Sequence, residues 1–254
     1  MSHFDEYSRA FASIAMRRED GILEMRFHTR GGPLHWNLAV HGELERAFLA
    51  VGRDRENGAV ILTGTGEAFS GPQLFEGGHA HVKDPVAPLA WDDIYWEGKR
   101  LLGNLLDIDV PVLSAINGPA LRHAEIPLLS DIVIASDTAT FQDSAHFNGG
   151  LVPGDGVHVL FPLLMGPNRG RYFLLTGQTV DAQQALAWGM VNEVLPADEV
   201  LPRAWALARQ LMRRPPLIRR YARVLLTHDL KRRMHELLGY GLALEGLGAA
   251  QRPG

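Results

Sequence analysis

Apolar and polar residues alternate over residues 21–28 (GILEMRFH), the period of two that turns one side of a strand to a core. Gly31-Gly32-Pro33 ends that run, and Asn37 stands where it can cap a helix over residues 38–51. Unbroken apolar runs rich in branched residues follow at 59–62 (AVIL), 111–116 (PVLSAI) and 132–135 (IVIA), the pattern of strands buried on both faces. A Gly-rich turn occupies 63–72, a helical period runs through 91–106, and a short helix is expected at 124–129. Beyond Asp155 helical patterns follow one another, at 157–165, 168–176, 182–188, 201–212, 217–227 and 231–247, with one strand at 191–195. Short crossovers between strands imply right-handed βαβ units. The reading is an α/β chain: a spiral of ββα turns over residues 1–195, then a helical C-terminal region over 196–254, with no linker that would separate independent domains.

Composition narrows the partners. The 254 residues are 46% hydrophobic and 21% charged, which suits one large globular unit. A net charge of −4 and a pI near 6.3 argue against a nucleic-acid partner. The basic stretch Arg213-Arg214-Pro-Pro-Leu-Ile-Arg219-Arg220 reads as a solvated helix face. With no cysteine, disulfides, a thiolate nucleophile and a cysteine-ligated metal are excluded. Neither a leader pattern nor a run of about 18 apolar residues is visible, so a cytoplasmic protein with no membrane partner is expected.

Candidate chemistry gathers in three loop-like stretches: Asn117-Gly-Pro-Ala-Leu-Arg-His123-Ala-Glu125, Phe141-Gln-Asp-Ser-Ala-His146 and Val152-Pro-Gly-Asp155-Gly. Loops at strand ends are where α/β proteins place reacting groups. A histidine with an aspartate partner can deprotonate water near neutral pH, and a second histidine can donate to a carbonyl oxygen. Taken singly, His123 and His146 also read as half-buried structural histidines, and Asp155 as the N-cap of the helix from 157.

Three other motifs carry less. Gly64-Thr-Gly66-Glu-Ala-Phe69 opens like a dinucleotide fingerprint but has Phe69 where the third glycine belongs; it reads as a wall whose backbone N–H groups could face an anion. His79-Ala-His81 reads as part of a surface loop. His235-Glu236 has Gly239 where a zinc-protease motif needs its second histidine, so no metal is expected.

The blocks AVILTGTGEAFS (59–70), PVLSAINGPA (111–120), SDIVIAS (130–136), TFQD (140–143), GLVPGDG (150–156) and LLTGQ (174–178) occur in the order and spacing of the crotonase (enoyl-CoA hydratase/isomerase) superfamily, which the chain resembles along nearly its whole length. The resemblance implies a crotonase-like ββα spiral with a C-terminal trimerisation region, assembled as a trimer or a dimer of trimers. Two turns depart from the family. Ser70-Gly-Pro72-Gln73 replaces an Ala-Gly-Ala-Asp-like turn, and Leu121-Arg-His123-Ala replaces a run of glycines. Those turns usually hold a thioester oxygen with backbone N–H groups, and proline has none to give. Glu125 stands near the place of a hydratase glutamate, but the Asp155 region lacks the second one.

The departures resemble one branch, the β-diketone hydrolases of the 6-oxocamphor hydrolase type. Matching stretches include Leu34-His-Trp36, His123-x-Glu125-Ile-Pro, Asp143-x-x-His146-Phe and Gly241-Leu-Ala-Leu-Glu245. That resemblance implies His146 and Asp155 as a base dyad, with Asp155 fixing the His146 tautomer. It implies His123 and Trp36 as carbonyl-oxygen donors, and Glu245 as a further catalytic group. The expected reaction is hydrolysis of a C–C bond in a cyclic β-diketone, a retro-Claisen cleavage that uses no cofactor. Trp36, Phe75, Trp91, Tyr95 and Trp96 are expected wall residues. An acyl-CoA hydratase, isomerase or thioester hydrolase, and a non-catalytic or RNA-binding relative, are the competing readings.

Overall fold

A computed structural model describes residues 3–71 and 86–251. Its frame is a six-stranded sheet in the order β1-β2-β3-β4-β5-β8: β1 (Ile14–Glu19), β2 (Ile22–Phe27), β3 (Ala59–Thr63), β4 (Val112–Ile116), β5 (Ile132–Ser136) and β8 (Glu193–Leu195). All neighbours are parallel except β1 and β2. A second, two-stranded ladder joins β6 (Thr140–Phe141) to β7 (Val180–Asp181). The strand β1 is absent from the pattern reading. It pairs through a turn at Asp20 and Gly21, both at positive φ (50° and 77°), the geometry of a tight hairpin.

Both faces of the sheet are covered. Leu23, Met25, Phe27, Val60, Leu62 and Val112 enter one core, beneath the helices Leu38–Arg53 and Pro88–Leu106. The alternating positions Ile22, Ala59, Ile61, Leu113 and Ala115 enter a second core under Trp205 of the helix Ala197–Met212. Residues 22–27 are therefore almost wholly buried, not half-buried as the alternation implied. The polar position that produced the alternation, Glu24, is buried and accepts bonds from Trp205 Nε1–H (2.8 Å) and the Arg17 guanidinium.

The basic stretch keeps Arg213 and Arg214 exposed, as expected, but its second half inverts: Arg219 and Arg220 are buried. On the helix Pro216–Leu226, Arg219 and Arg223 are 9% and 3% exposed, whereas Leu225 and Leu226 are 76% and 83% exposed. The arginines turn inward because free carbonyls wait there. Arg223 donates to Asp131 (2.7 Å), Leu106 O and Ile108 O, and Arg219 donates to Met212 O and Arg214 O. They satisfy chain ends that no helix can satisfy itself. Among the described residues no helix is long and apolar enough to cross a membrane.

Candidate active site

Four segments deliver His123, His146, Asp155 and Glu245 to one cavity of about 80 Å³, whose wall is completed by Leu38 and His41 of the helix Leu38–Arg53 and Trp91 and Ile94 of the helix Pro88–Leu106. The first leaves β4. Its amide–carboxamide clamp comes from Asn117, which accepts from Gly64 N–H and donates to Gly66 O and Ala68 O. Farther on, Ser70 Oγ–H donates to Arg122 O at 2.6 Å, and His123 follows at φ +51°. That conformation normally belongs to glycine and costs a side chain of order 1–3 kcal/mol. It occurs where the resemblance marks a run of glycines.

The second and third segments are Asp143–His146 after β6 and the loop carrying Asp155. Asp155 does not cap the following helix Val157–Met165; Gly156 (φ +97°) takes the N-cap position and no side-chain bond closes that end. The fourth is the helix His228–Ala249, which carries Glu245. Gly154 and Gly241 meet backbone to backbone. A Cβ on either would collide with the carbonyl of the other. Glu245 lies one turn beyond Gly241, so this contact sets its distance from Asp155.

The cavity has two linked halves. At His146, Nδ1 lies 2.6 Å from Asp143 Oδ1, while Nε2 faces Asp155 Oδ1 (3.3 Å) and Glu245 Oε1 (3.5 Å). At His123, Nδ1 lies 2.7 Å from Glu125 Oε1 and 3.4 Å from Asp155 Oδ2, and Nε2 lies 3.0 Å from His41 Nε2. The Trp36 ring lies against His123, tilted by 49°, with ring centroids 4.2 Å apart. Its buried Nε1–H has no hydrogen-bond partner among the described residues, and neither does Glu245 Oε2.

Burial and charge set the protonation states. Burial alone would lower the His146 pKa, but Asp155, Asp143 and Glu245 outweigh it and raise the imidazole well above its usual value. Burial works to raise Asp155, yet His146 and His123 hold its carboxyl well below the usual range. Burial pushes Glu245 up to about 7 against the pull of His146. In the other half burial drives His123 down to about 4, and burial together with the Asp155 charge pushes Glu125 well above the carboxylate range. His146 is thus a basic imidazole among carboxylates, whereas His123 and Glu125 form a neutral pair.

The expected site residues fall out as follows. His146, Asp155, His123 and Glu245 converge on the cavity, with Trp36 against His123 and Trp91 in the wall. Phe75 lies outside the described residues, as do Pro72, Gln73 and the pair His79 and His81. Trp96 is 59% exposed and Tyr95 OH accepts from Lys99 Nζ, so neither lines the cavity. Asp143, rather than Asp155, takes Nδ1 of His146. His41 is a residue that sequence reasoning did not find. Its available signal was a histidine in the first turn of a helix capped by Asn37, whose Oδ1 accepts from Val40 N–H at 3.0 Å.

The glycine-rich turn presents few amides to an anion. Gly71 N–H donates to Leu34 O at 2.6 Å, Phe69 and Ser70 N–H to Pro119 O, and Gly64 N–H to Asn117. Donor atoms of His123, Glu125 and Asp155 lie within 4.8 Å of one another, a spacing that a cation could bridge. Two of the three are neutral by the argument above, so the set offers a cation little charge.

The enoyl-CoA hydratase/isomerase family model matches residues 17–242. A carnitinyl-CoA dehydratase of Citrobacter koseri is 32% identical over 176 residues, which is 69% of this chain and 65% of the dehydratase, so the match spans a little under two thirds of that relative. Among solved structures, a β-diketone hydrolase from the cyanobacterium Anabaena sp. PCC 7120, bound to (S)-3-oxocyclohexyl acetic acid, superposes with a TM-score of 0.91 at 48% identity, over 96% of this chain and 97% of that one. An enoyl-CoA hydratase/isomerase from Mycobacterium paratuberculosis gives 0.84 at 25% identity over 94% of each chain. A family match from β1 to the last helix, on a fold shared with both solved enzymes, means that the chain belongs to the enoyl-CoA hydratase/isomerase (crotonase) family.

Proposed function

We propose that the chain hydrolyses the C–C bond between the carbonyls of a cyclic or bicyclic β-diketone, giving a keto acid. The observation that carries this reading is His146, held at Nδ1 by Asp143 and facing Asp155 and Glu245 with Nε2, across one cavity from the neutral His123–Glu125 pair. The 48% identical Anabaena hydrolase supports it. Its bound ligand is a cyclic ketone with a carboxylic acid arm, the kind of product such a cleavage leaves.

The residues divide the work. Unprotonated His146 takes a proton from water at Nε2, and the resulting hydroxide adds to one carbonyl carbon. Asp143 fixes the tautomer from behind, and Asp155 stabilises the imidazolium. Trp36 Nε1–H is an unpaired donor for the developing oxyanion; such donors are worth about 3–4 kcal/mol in the transition state. The alkoxide collapses by breaking the C–C bond, because the departing carbon is stabilised as the enolate of the second carbonyl. His123 reaches that chemistry with one nitrogen on Glu125 and the other on His41, so it acts as part of a relay rather than as a lone donor. The exposed apolar residues Leu217, Ile218, Tyr221, Leu225 and Leu226 support a self-associating assembly, a trimer or a dimer of trimers.

A panel of cyclic β-diketones, incubated without added metal or coenzyme A, tests the reading through loss of diketone absorbance and product mass. Gain of one water with ring opening is expected. Turnover of an acyl-CoA thioester instead would favour the second reading, which the 32% identical dehydratase supports. Against it stands Gly71, whose N–H is already given to Leu34 O.

A further inference from the structure

Arg122 has no assigned task, although it lines the same cavity as His123, His146 and Asp155. Its Nε is buried with no hydrogen-bond partner, and no ion pair joins its guanidinium to a carboxylate among the described residues. The acids nearby are engaged elsewhere: Asp143 with His146, Glu125 with His123, and Asp155 between the two histidines. They act on Arg122 at longer range, where Asp155, Asp143 and Glu125 offset part of what burial takes from the charged form. The backbone beneath it is fixed, with Ser70 Oγ–H on Arg122 O and Leu121 N–H on Ser70 O. The result is a positioned guanidinium with donor capacity to spare, and a planar fork of that kind matches a carboxylate.

We infer that Arg122 is a subsite for the carboxylate arm of the keto acid formed in this cavity. The inference rests on the hydrolase reading above and adds to it a residue and a charge. In the cleavage, the oxygen of water bonds to the carbonyl carbon and the C–C bond breaks. The electron pair of that bond stays on the departing carbon as an enolate, which takes up the proton held by His146. The new acid then gives its own proton to solvent. A neutral substrate has become an anion beside Asp155, which is itself ionised. A cation on the cavity wall offsets that repulsion, and Arg122 is placed to supply it.

The test compares ligand charge with protein charge. Kd is measured by calorimetry for 3-oxocyclohexyl acetic acid and for its methyl ester at about pH 8, where the acid is ionised. Wild-type protein is expected to prefer the acid by about tenfold or more, as a charge-assisted hydrogen bond allows. Arg122→Gln should erase the preference, and Arg122→Lys, which keeps the charge and loses the fork, should retain part of it. An undiminished preference in folded Arg122→Gln overturns the inference. So does equal wild-type affinity for acid and ester, which needs no variant. Diketone turnover is followed on the same samples. Turnover without an acid preference leaves the hydrolase reading standing and removes the subsite. A preference that depends on Arg122, without turnover, keeps the subsite and removes the reaction.

Discussion

The carboxylate of Asp143 holds the Nδ1 edge of His146 at 2.6 Å, with both side chains buried. A carboxylate in that position selects the imidazole tautomer that leaves Nε2 open to the cavity. Asp143→Asn keeps the shape and removes the charge. It should lower kcat by roughly 10²–10⁴-fold, as loss of the orienting carboxylate does in hydrolytic triads, while circular dichroism reports an intact fold. Wild-type turnover in this variant would return the orienting role to Asp155.

The pH dependence of the rate follows from the same cluster. His146 is raised well above its usual value and Glu245 to about 7, so at low pH both hold protons and Nε2 cannot act as a base. kcat/KM should therefore climb as pH rises through about 7 and keep climbing toward the His146 titration. Because the two groups interact, the inflections belong to the pair. Glu245→Gln should remove the inflection near 7. A profile that is flat from about pH 6 to 9 would count against an imidazole base.

Trp36→Phe deletes an indole N–H that is buried and unpartnered while keeping an aromatic face against His123. A fall of about 10²-fold in kcat, with a smaller effect on KM, is expected if that donor serves the oxyanion. Steady-state kinetics that match wild type would remove Trp36 from the chemistry.

Gly241→Ala reverses the usual sign. Within a helix this exchange ordinarily stabilises by about 1 kcal/mol. Here the added Cβ would strike the Gly154 carbonyl and the His158 ring, forcing the helix His228–Ala249 away from the Asp155 loop. Thermal melting should show a lower Tm and kinetics a loss of activity. An unchanged or higher Tm would mean that the two backbones have room to separate at no cost.

Acid stability should report His123. Its folded pKa is about 4 against an ordinary 6.5, so between those values the unfolded chain binds a proton that the folded chain refuses. This contribution is complete above about 6.5 and is lost as pH falls toward 4, amounting to about 3 kcal/mol at most. The drop in Tm between about pH 7 and 4.5 should be smaller in His123→Gln than in wild type. An equal drop would place the acid sensitivity elsewhere.

Much of this is legible in the amino-acid sequence. Continuous apolar runs announce β3, β4 and β5 because both faces of the sheet are covered. His123 sits in the loop that leaves β4, and His146 and Asp155 in the loops after β6, so the three could be grouped from the chain alone. Three things could not. The strand β1 is weakly apolar, and only the Asp20-Gly21 pair betrayed its hairpin. The inward arginines of Pro216–Leu226 depend on carbonyls at Leu106 and Ile108, more than a hundred residues away, which no local charge pattern contains. The pairings of His146 with Asp143 and of His123 with His41 depend on ring orientation, and residue spacing carries no record of that.

Asp155 reaches His123 with one oxygen and His146 with the other, at 3.4 and 3.3 Å. A single negative charge is thereby divided between two imidazoles that have different partners on their other nitrogens. Replacing either histidine hands the whole of that charge to its neighbour, making the survivor a stronger base than it is in the intact enzyme. Losses measured one residue at a time will accordingly not sum to the loss in the double replacement, and the size of the discrepancy measures how far the two histidines behave as one.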